Sequence, residues 1–317
     1  MPPRVRHARL LAPALLAGVL AAPAARAQYT YTRIDHPGAT NLSLSGINTA
    51  GQIVGTYDDA TGLHSFVYAT GVFTPITVPG ALSTNAFGIN TAGEIVGSYS
   101  DAAGTHGFLD NAGVFTTLNA PTAPDFTTAL GINDAGQIVG SYEDTIGAEV
   151  HGFVYSGGAF TAIDVPGPSY TYAYDINNLG AVVGRYRDEF GRHGFLDVGG
   201  VFTRVDVPGA FATEATGIND AGVVVGTDAD TNNPGAAGFV YVGGVLTPFN
   251  VPGAIGTSVE GVNDAGQIVG FYDDATGTHG FLATPTGVPA PEPATSTLLG
   301  AGLLGVGAVA HRGRTRA

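Results

Sequence analysis

The 317-residue sequence predicts an all-β fold: a six-bladed β-propeller of four-stranded blades. An N-terminal strand completes the last blade, and helical segments are expected only in an N-terminal signal and a C-terminal tail. Three observations lead there: 49 glycines, a phrase that recurs six times, and a strand motif displaced from the end of the repeat array to its start. Glycine at about 15% disfavours helix, because each interior Gly costs a helix about 1 kcal/mol relative to Ala. Hydrophobic residues at 44% still allow a core to be built. The sequence has no Cys, which excludes disulfides, thiolate chemistry and any zinc site that needs Cys ligands.

The recurring phrase is Gly46-Ile47-Asn48, Gly88-Ile89-Asn90, Gly131-Ile132-Asn133, Asp175-Ile176-Asn177, Gly217-Ile218-Asn219 and Gly261-Val262-Asn263, spaced by 42, 43, 44, 42 and 44 residues. Each copy continues through a run such as Gln52-Ile53-Val54-Gly55, an Asp/Gly stretch, a His-Gly-Phe-Val-Tyr variant and a Phe-Thr-x-x-x-Val-Pro-Gly end. These are four strand candidates, A to D, separated by turn signals. Gly three residues after Asn supplies the positive φ that closes the A–B hairpin. Pro in Val-Pro-Gly cannot donate to a ladder and bounds strand D. Four strands in 42–44 residues is the size of a propeller blade.

The last copy stops after strand C, at Gly280-Phe281-Leu282, whereas residues Tyr29 to Gly38 match strand D. Six complete blades therefore arise only if the first strand joins the sixth copy, closing a ring and leaving no unfinished edge. An open stack or a pair of β-sandwiches is the alternative.

Residues 1–27 read as a secretory signal: Arg4, Arg6, His7 and Arg9, then apolar Leu10 to Ala22, then Ala25-Arg26-Ala27 with cleavage between Ala27 and Gln28. Thirteen apolar residues are too few to span a bilayer. At the other end, Pro291-Glu292-Pro293 precedes an uncharged run, Ala294 to Ala310, and a basic end. That run is a marginal span, about 26 Å as a helix, with its basic end cytoplasmic. These three features together resemble a PEP-CTERM sorting signal, a segment also called an ice-binding protein C-terminal domain, over residues 289–317. The resemblance implies an exosortase as partner in a Gram-negative envelope, transient inner-membrane anchoring through the C-terminal segment, removal of the tail, and display at or release from the cell surface. An ordinary tail anchor is the alternative. The secretion machinery and signal peptidase are implied by the N-terminal signal.

The repeat phrase, spread over nearly all of residues 28–288, resembles the extracellular repeat group called the HAF family. It departs at Asp175, where the other copies have Gly, and in the fifth copy, where Ala237 and Asp228 stand for His and Tyr. The resemblance implies an exported repeat protein and assigns no activity to individual residues.

Seven of the 12 Arg lie in the two terminal signals, and there is no Lys. The region 28–288 holds five Arg against 25 Asp and Glu, a net −20. So acidic a domain disfavours nucleic acid and anionic membrane surfaces, leaving cations or neutral polymers as the expected partners. No nucleophile elbow, His-Glu-x-x-His helix, phosphate loop or dinucleotide fingerprint appears, so no catalytic residue is assigned.

Two constellations remain. The B–C turns carry Asp58, Asp59, Asp101, Glu143, Asp144, Asp188, Glu189, Asp228, Asp230, Asp273 and Asp274, and strand C opens with His64, His106, His151, His193 and His279. On one face of a disc these carboxylates could hold Ca²⁺, or they could serve the turns by bonding their own backbone. The second is an asymmetry: three of the five Arg of 28–288 fall in the fourth copy. Arg185, Arg187 and Arg192 lie there with Tyr170, Tyr172 and Tyr174, near Asp188, Glu189 and His193. Alternating Tyr share one face of a strand, and rigid rings with Arg and carboxylates suit a sugar or peptide. The rings would be core if that face packed on the next blade. The expectation is a non-catalytic surface protein binding a polysaccharide or protein. A Ca²⁺-dependent structural matrix protein is the alternative, and a carbohydrate-active enzyme ranks below both.

Overall fold

A computed structural model describes residues 28–287 except 124, 145–148, 168–169 and 231–232. The cleavage residue Ala27, the Pro291-Glu292-Pro293 motif and the proposed terminal helices lie outside the described residues. Among the described residues there are 24 strands and no helix, so none long and apolar enough to cross a membrane.

Strand β1 is Tyr29–Ile34, and four strands follow for each copy of the phrase. The first copy gives β2 (Asn41–Ile47), β3 (Ile53–Asp59), β4 (Gly62–Ala69) and β5 (Val72–Ile76). The second gives β6 (Ser83–Ile89), β7 (Ile95–Ser100), β8 (Thr105–Asn111) and β9 (Val114–Leu118). The third gives β10 (Thr127–Ile132), β11 (Ile138–Glu143), β12 (Val150–Ser156) and β13 (Ala159–Ile163). The fourth gives β14 (Tyr170–Ile176), β15 (Val182–Asp188), β16 (Gly191–Val198) and β17 (Val201–Val205). The fifth gives β18 (Ala212–Ile218), β19 (Val224–Asp230), β20 (Asn233–Val242) and β21 (Val245–Phe249). The sixth supplies only β22 (Gly256–Val262), β23 (Ile268–Asp274) and β24 (Gly277–Pro285).

Within each copy the strands pair antiparallel in chain order. The displaced first strand pairs with the last: β1 lies antiparallel to β24, from Tyr29 opposite Pro285 to Ile34 opposite Gly280. The ladders form four sheets rather than one belt, and the third, fourth and fifth copies are joined by single parallel bridges, Val150 to Tyr170 and Arg192 to Ala212.

The core lies between copies. Val54, Ile76 and Val78 of the first pack with Ala86, Ile89 and Phe108 of the second, and comparable clusters follow at each later junction. The sixth copy packs on the first in the same way, through Ile34, Val269, Leu42, Leu44 and Phe66. One Phe per copy, Phe66, Phe108, Phe153, Phe195, Phe239 and Phe281, is fully buried, each contributing roughly 2–3 kcal/mol. Each faces the Gly of the Ile-Val-Gly run on the neighbouring strand, as Phe108 faces Gly97. A Cβ on Gly97 would lie 1.9 Å from Asn85 O and 2.6 Å from the Phe108 ring, so only Gly fits.

The Asn of the repeat phrase does two jobs. Asn48 Oδ1 accepts the Gln52 N–H at 2.9 Å, holding the A–B hairpin, and Gly51 takes the positive φ of 78°. Its Nδ2 donates to Asn90 O of the next copy at 2.9 Å. Asn90, Asn133, Asn177 and Asn219 each repeat that donation to the following Asn, and Asn263 donates back to Asn48 O at 3.0 Å. The six amides thus form a closed circuit.

Candidate functional site

Each A strand carries a β-bulge before the phrase, seen as a register shift at the same place in all six copies. A bulge re-aims a side chain, and the bulged residues Ser45, Phe87, Leu130, Tyr174, Thr216 and Glu260 all line one cavity of ≈ 50 Å³. The phrase's Gly lets the A strands approach, since a Cβ on Gly46 would meet Phe87 O at 2.6 Å. Asp175 breaks the pattern and uses its carboxylate instead, accepting Ile176 N–H at 2.9 Å and Ile218 N–H of the next copy at 3.0 Å. Burial pushes Asp175 up to about 7 despite these bonds. Glu260 has no hydrogen-bond partner among the described residues, and burial, then the Glu214 charge, pushes its carboxyl up to about 8. Both Asp175 and Glu260 line this cavity.

The fourth copy builds a groove of ≈ 180 Å³ lined by Tyr170, Tyr172, Arg185, Tyr186, Arg187 and Arg192. Alternation along β14 puts Tyr172 and Tyr174 on one face, stacked with centroids 6.3 Å apart. The Arg185 guanidinium lies 4.3 Å from the Tyr172 ring centroid and 5.9 Å from that of Tyr174. Glu214, on β18 of the next copy, accepts from Arg185 Nη1 at 2.7 Å and from the Tyr174 hydroxyl at 3.3 Å, and Arg192 Nη1 lies 3.6 Å away. Glu214 escaped the sequence reading; a carboxylate where the other A strands carry Ser, Asn, Thr or Tyr was the available signal. Arg185 Nε is buried without an acceptor. Arg187 is exposed and has no partner among the described residues. Tyr170, Arg187, Asp188 and Glu189 also line an adjoining hollow of ≈ 660 Å³. Arg185 thus comes together with Tyr172 and Tyr174, whereas His193 stands apart: it is buried, with Nε2 3.0 Å from Asp188 and Nδ1 2.9 Å from Asp206.

His193 shows the general use of the turn acids. Asp59 Oδ1 accepts the Thr61 N–H and hydroxyl at 2.7 and 2.6 Å and lies 3.0 Å from His64 Nε2. Asp101 serves Ala103 N–H and His106, and Asp274 serves Thr276 and His279, likewise. The Thr61 and Thr276 bonds hold Asp59 and Asp274 down at about 2. His279 Nδ1 reaches Asp35 on the displaced first segment at 2.9 Å. Asp273 accepts the Thr278 hydroxyl at 2.6 Å, and Asp58 faces the Asn41 amide at 3.5 Å. Asp228 is buried, Asp230 ends β19, and Glu143 ends β11. Asp144, Glu149 and His151 bring ligand atoms within 4.8 Å of one another.

No family model and no curated protein matches this sequence. Solved structures do resemble it. A protein assigned as a gluconolactonase is 10% identical, with 81% of this chain and 92% of that one covered and a TM-score of 0.53. A subtype N10 neuraminidase-like protein (A/little yellow-shouldered bat) is 10% identical, with 81% and 98% covered and a TM-score of 0.50. The β-propeller domain of the Trilobed protease from Pyrococcus furiosus is 11% identical, with 82% and 99% covered and a TM-score of 0.48. Among the described residues the chain is all-β. At such identity the likeness is one of fold alone, and the neighbours' names span enzymes and other proteins.

Proposed function

We propose that this is an exported, exosortase-processed surface or matrix protein whose six-bladed β-propeller binds an extracellular polysaccharide without catalysing its turnover. The groove of the fourth copy carries this reading. Tyr170 and Tyr172 supply flat apolar surface for sugar rings, and Arg185, Arg187 and Arg192 supply directed donors. The two terminal signals support export, and six copies with β1 paired to β24 support the blade count. A glycan array tests the binding: the protein is expected to retain a defined set of polysaccharides, and Tyr172→Ala to lose them. Absence of any retained glycan overturns the reading. Masses of the mature protein in envelope and medium fractions test the export, with both ends expected to be trimmed.

A second reading, a Ca²⁺-dependent structural protein, draws on Asp144, Glu149 and His151. A melt with millimolar Ca²⁺ separates the two, since a ligand bound only by the folded state raises the midpoint. The polysaccharide reading expects no shift.

A further inference from the structure

We propose that the groove selects acidic polysaccharides, taking the carboxylate of a uronic-acid residue among Arg185, Arg187 and Arg192. This rests on the polysaccharide-binding reading and adds the ligand's chemical class.

Charge placement is the first ground. Residues 28–288 carry net −20, yet the groove lining holds three Arg and no acid. The other two Arg of that region are spent locally, Arg33 on Asp35 at 2.5 Å and Arg204 on Asp206. Of the three guanidinium groups of the groove, Glu214 bonds that of Arg185 and approaches that of Arg192 only to 3.6 Å. Arg187 is left free among the described residues.

The second ground is an orphan donor. A buried donor without an acceptor costs about 1–3 kcal/mol. Arg185 Nε is in that state, while Nη1 is fixed by Glu214 and the guanidinium rests against Tyr172. Arg185 lines the groove, and a ligand oxygen bound there is the acceptor this proposal gives it. Guanidinium groups match a carboxylate's paired oxygens better than they match single hydroxyls.

The third ground is the surrounding field. Charges more than about 8 Å away are largely screened at physiological salt, so the groove can attract a local anion on a repulsive domain. A dense polyanion would meet the acidic surface on either side. A polysaccharide whose carboxylates are spaced by sugar rings presents one at a time, and its ring faces suit Tyr170 and Tyr172.

Calorimetric titration at 0.15 M salt with polygalacturonate, alginate and hyaluronate fragments, each beside its methyl ester, tests this on the full chain. At least one acidic fragment is expected to bind ten-fold or more tightly than its ester. Arg187→Ala with Arg192→Ala should weaken it ten-fold or more with unchanged circular dichroism, and Arg187→Lys should weaken it less. Equal binding of acid and ester, lost in Tyr172→Ala, overturns the inference but leaves the polysaccharide reading intact. Unchanged affinity in the double Arg variant, or equal binding of poly-glutamate, overturns it too. Failure of every fragment, with an empty glycan array, removes both.

Discussion

The environment of Glu260 opposes its charge, chiefly through burial. Glu260 lines the cavity of the bulged residues with Phe87, Leu130 and Tyr174, and the Glu214 charge adds to the effect of burial. Its carboxyl rises from 4.5 to about 8, and that of Asp175 from 3.8 to about 7. Both folded values exceed the unfolded ones, so the folded chain holds these protons longer. The stability they contribute is full below about pH 4 and is lost as pH rises through 7 to 8. Glu260→Gln keeps the shape and removes the charge. Its melting midpoint is expected to match the parent near pH 4 and to exceed it by several degrees at pH 9, reflecting a few kcal/mol. Identical pH profiles for the two proteins would count against a charged Glu260 in that cavity. Position 175 stood out in the sequence only as a broken Gly pattern. That its carboxylate reaches Ile218 N–H of the next copy depends on how close adjacent A strands come, which no single repeat reveals.

At the scale of the element, the Gly–Phe cross-strand pair decides how a copy packs. Gly97→Ala forces a Cβ into Asn85 O at 1.9 Å and into the Phe108 ring. It is expected to cost more than about 3 kcal/mol, as much as Phe108→Ala, which should cost roughly 3–5. Gly51→Ala meets nothing within 4 Å and suffers only from its positive φ, so about 1 kcal/mol is expected. Urea unfolding of the three variants gives the ordering, and a harmless Gly97→Ala would refute the close approach. The four strands per copy were legible because turn residues punctuate them. The Val-Pro-Gly segment bounds strand D only loosely, for β5 ends at Ile76, before Thr77, Val78 and Pro79. Similarly, the turn acids were legible as a ring but not as a set of local tasks. Asp59 and Asp188 already accept backbone N–H groups and hold a His, which leaves less of each carboxylate for a cation.

Across the whole molecule, closure is what the repeat count alone leaves open. Six copies could stack with free ends, and the displaced first strand was the sequence's argument against that. The Asn circuit supplies an energetic version. In an open stack the last Asn would have no following copy to bond, and its loss would cost only its hairpin bonds to Gln267. Here Asn263 donates to Asn48 O at 3.0 Å, as buried as Asn133, which donates to Asn177 O at 3.0 Å. Each Asn→Ala strands a hairpin N–H and leaves the neighbouring Asn carbonyl with only its hairpin Gly N–H, about 1–3 kcal/mol. Asn263→Ala and Asn133→Ala are therefore expected to destabilise alike in urea. Removing residues 28–35 should cost far more, because it exposes the β24 edge, uncovers the Ile34 cluster and takes Asp35 from His279. If Asn263→Ala costs clearly less than Asn133→Ala, the sixth copy does not engage the first in solution. The cavity of the bulged residues would then lose one wall, and the charge-dependent behaviour of Glu260 would disappear with it.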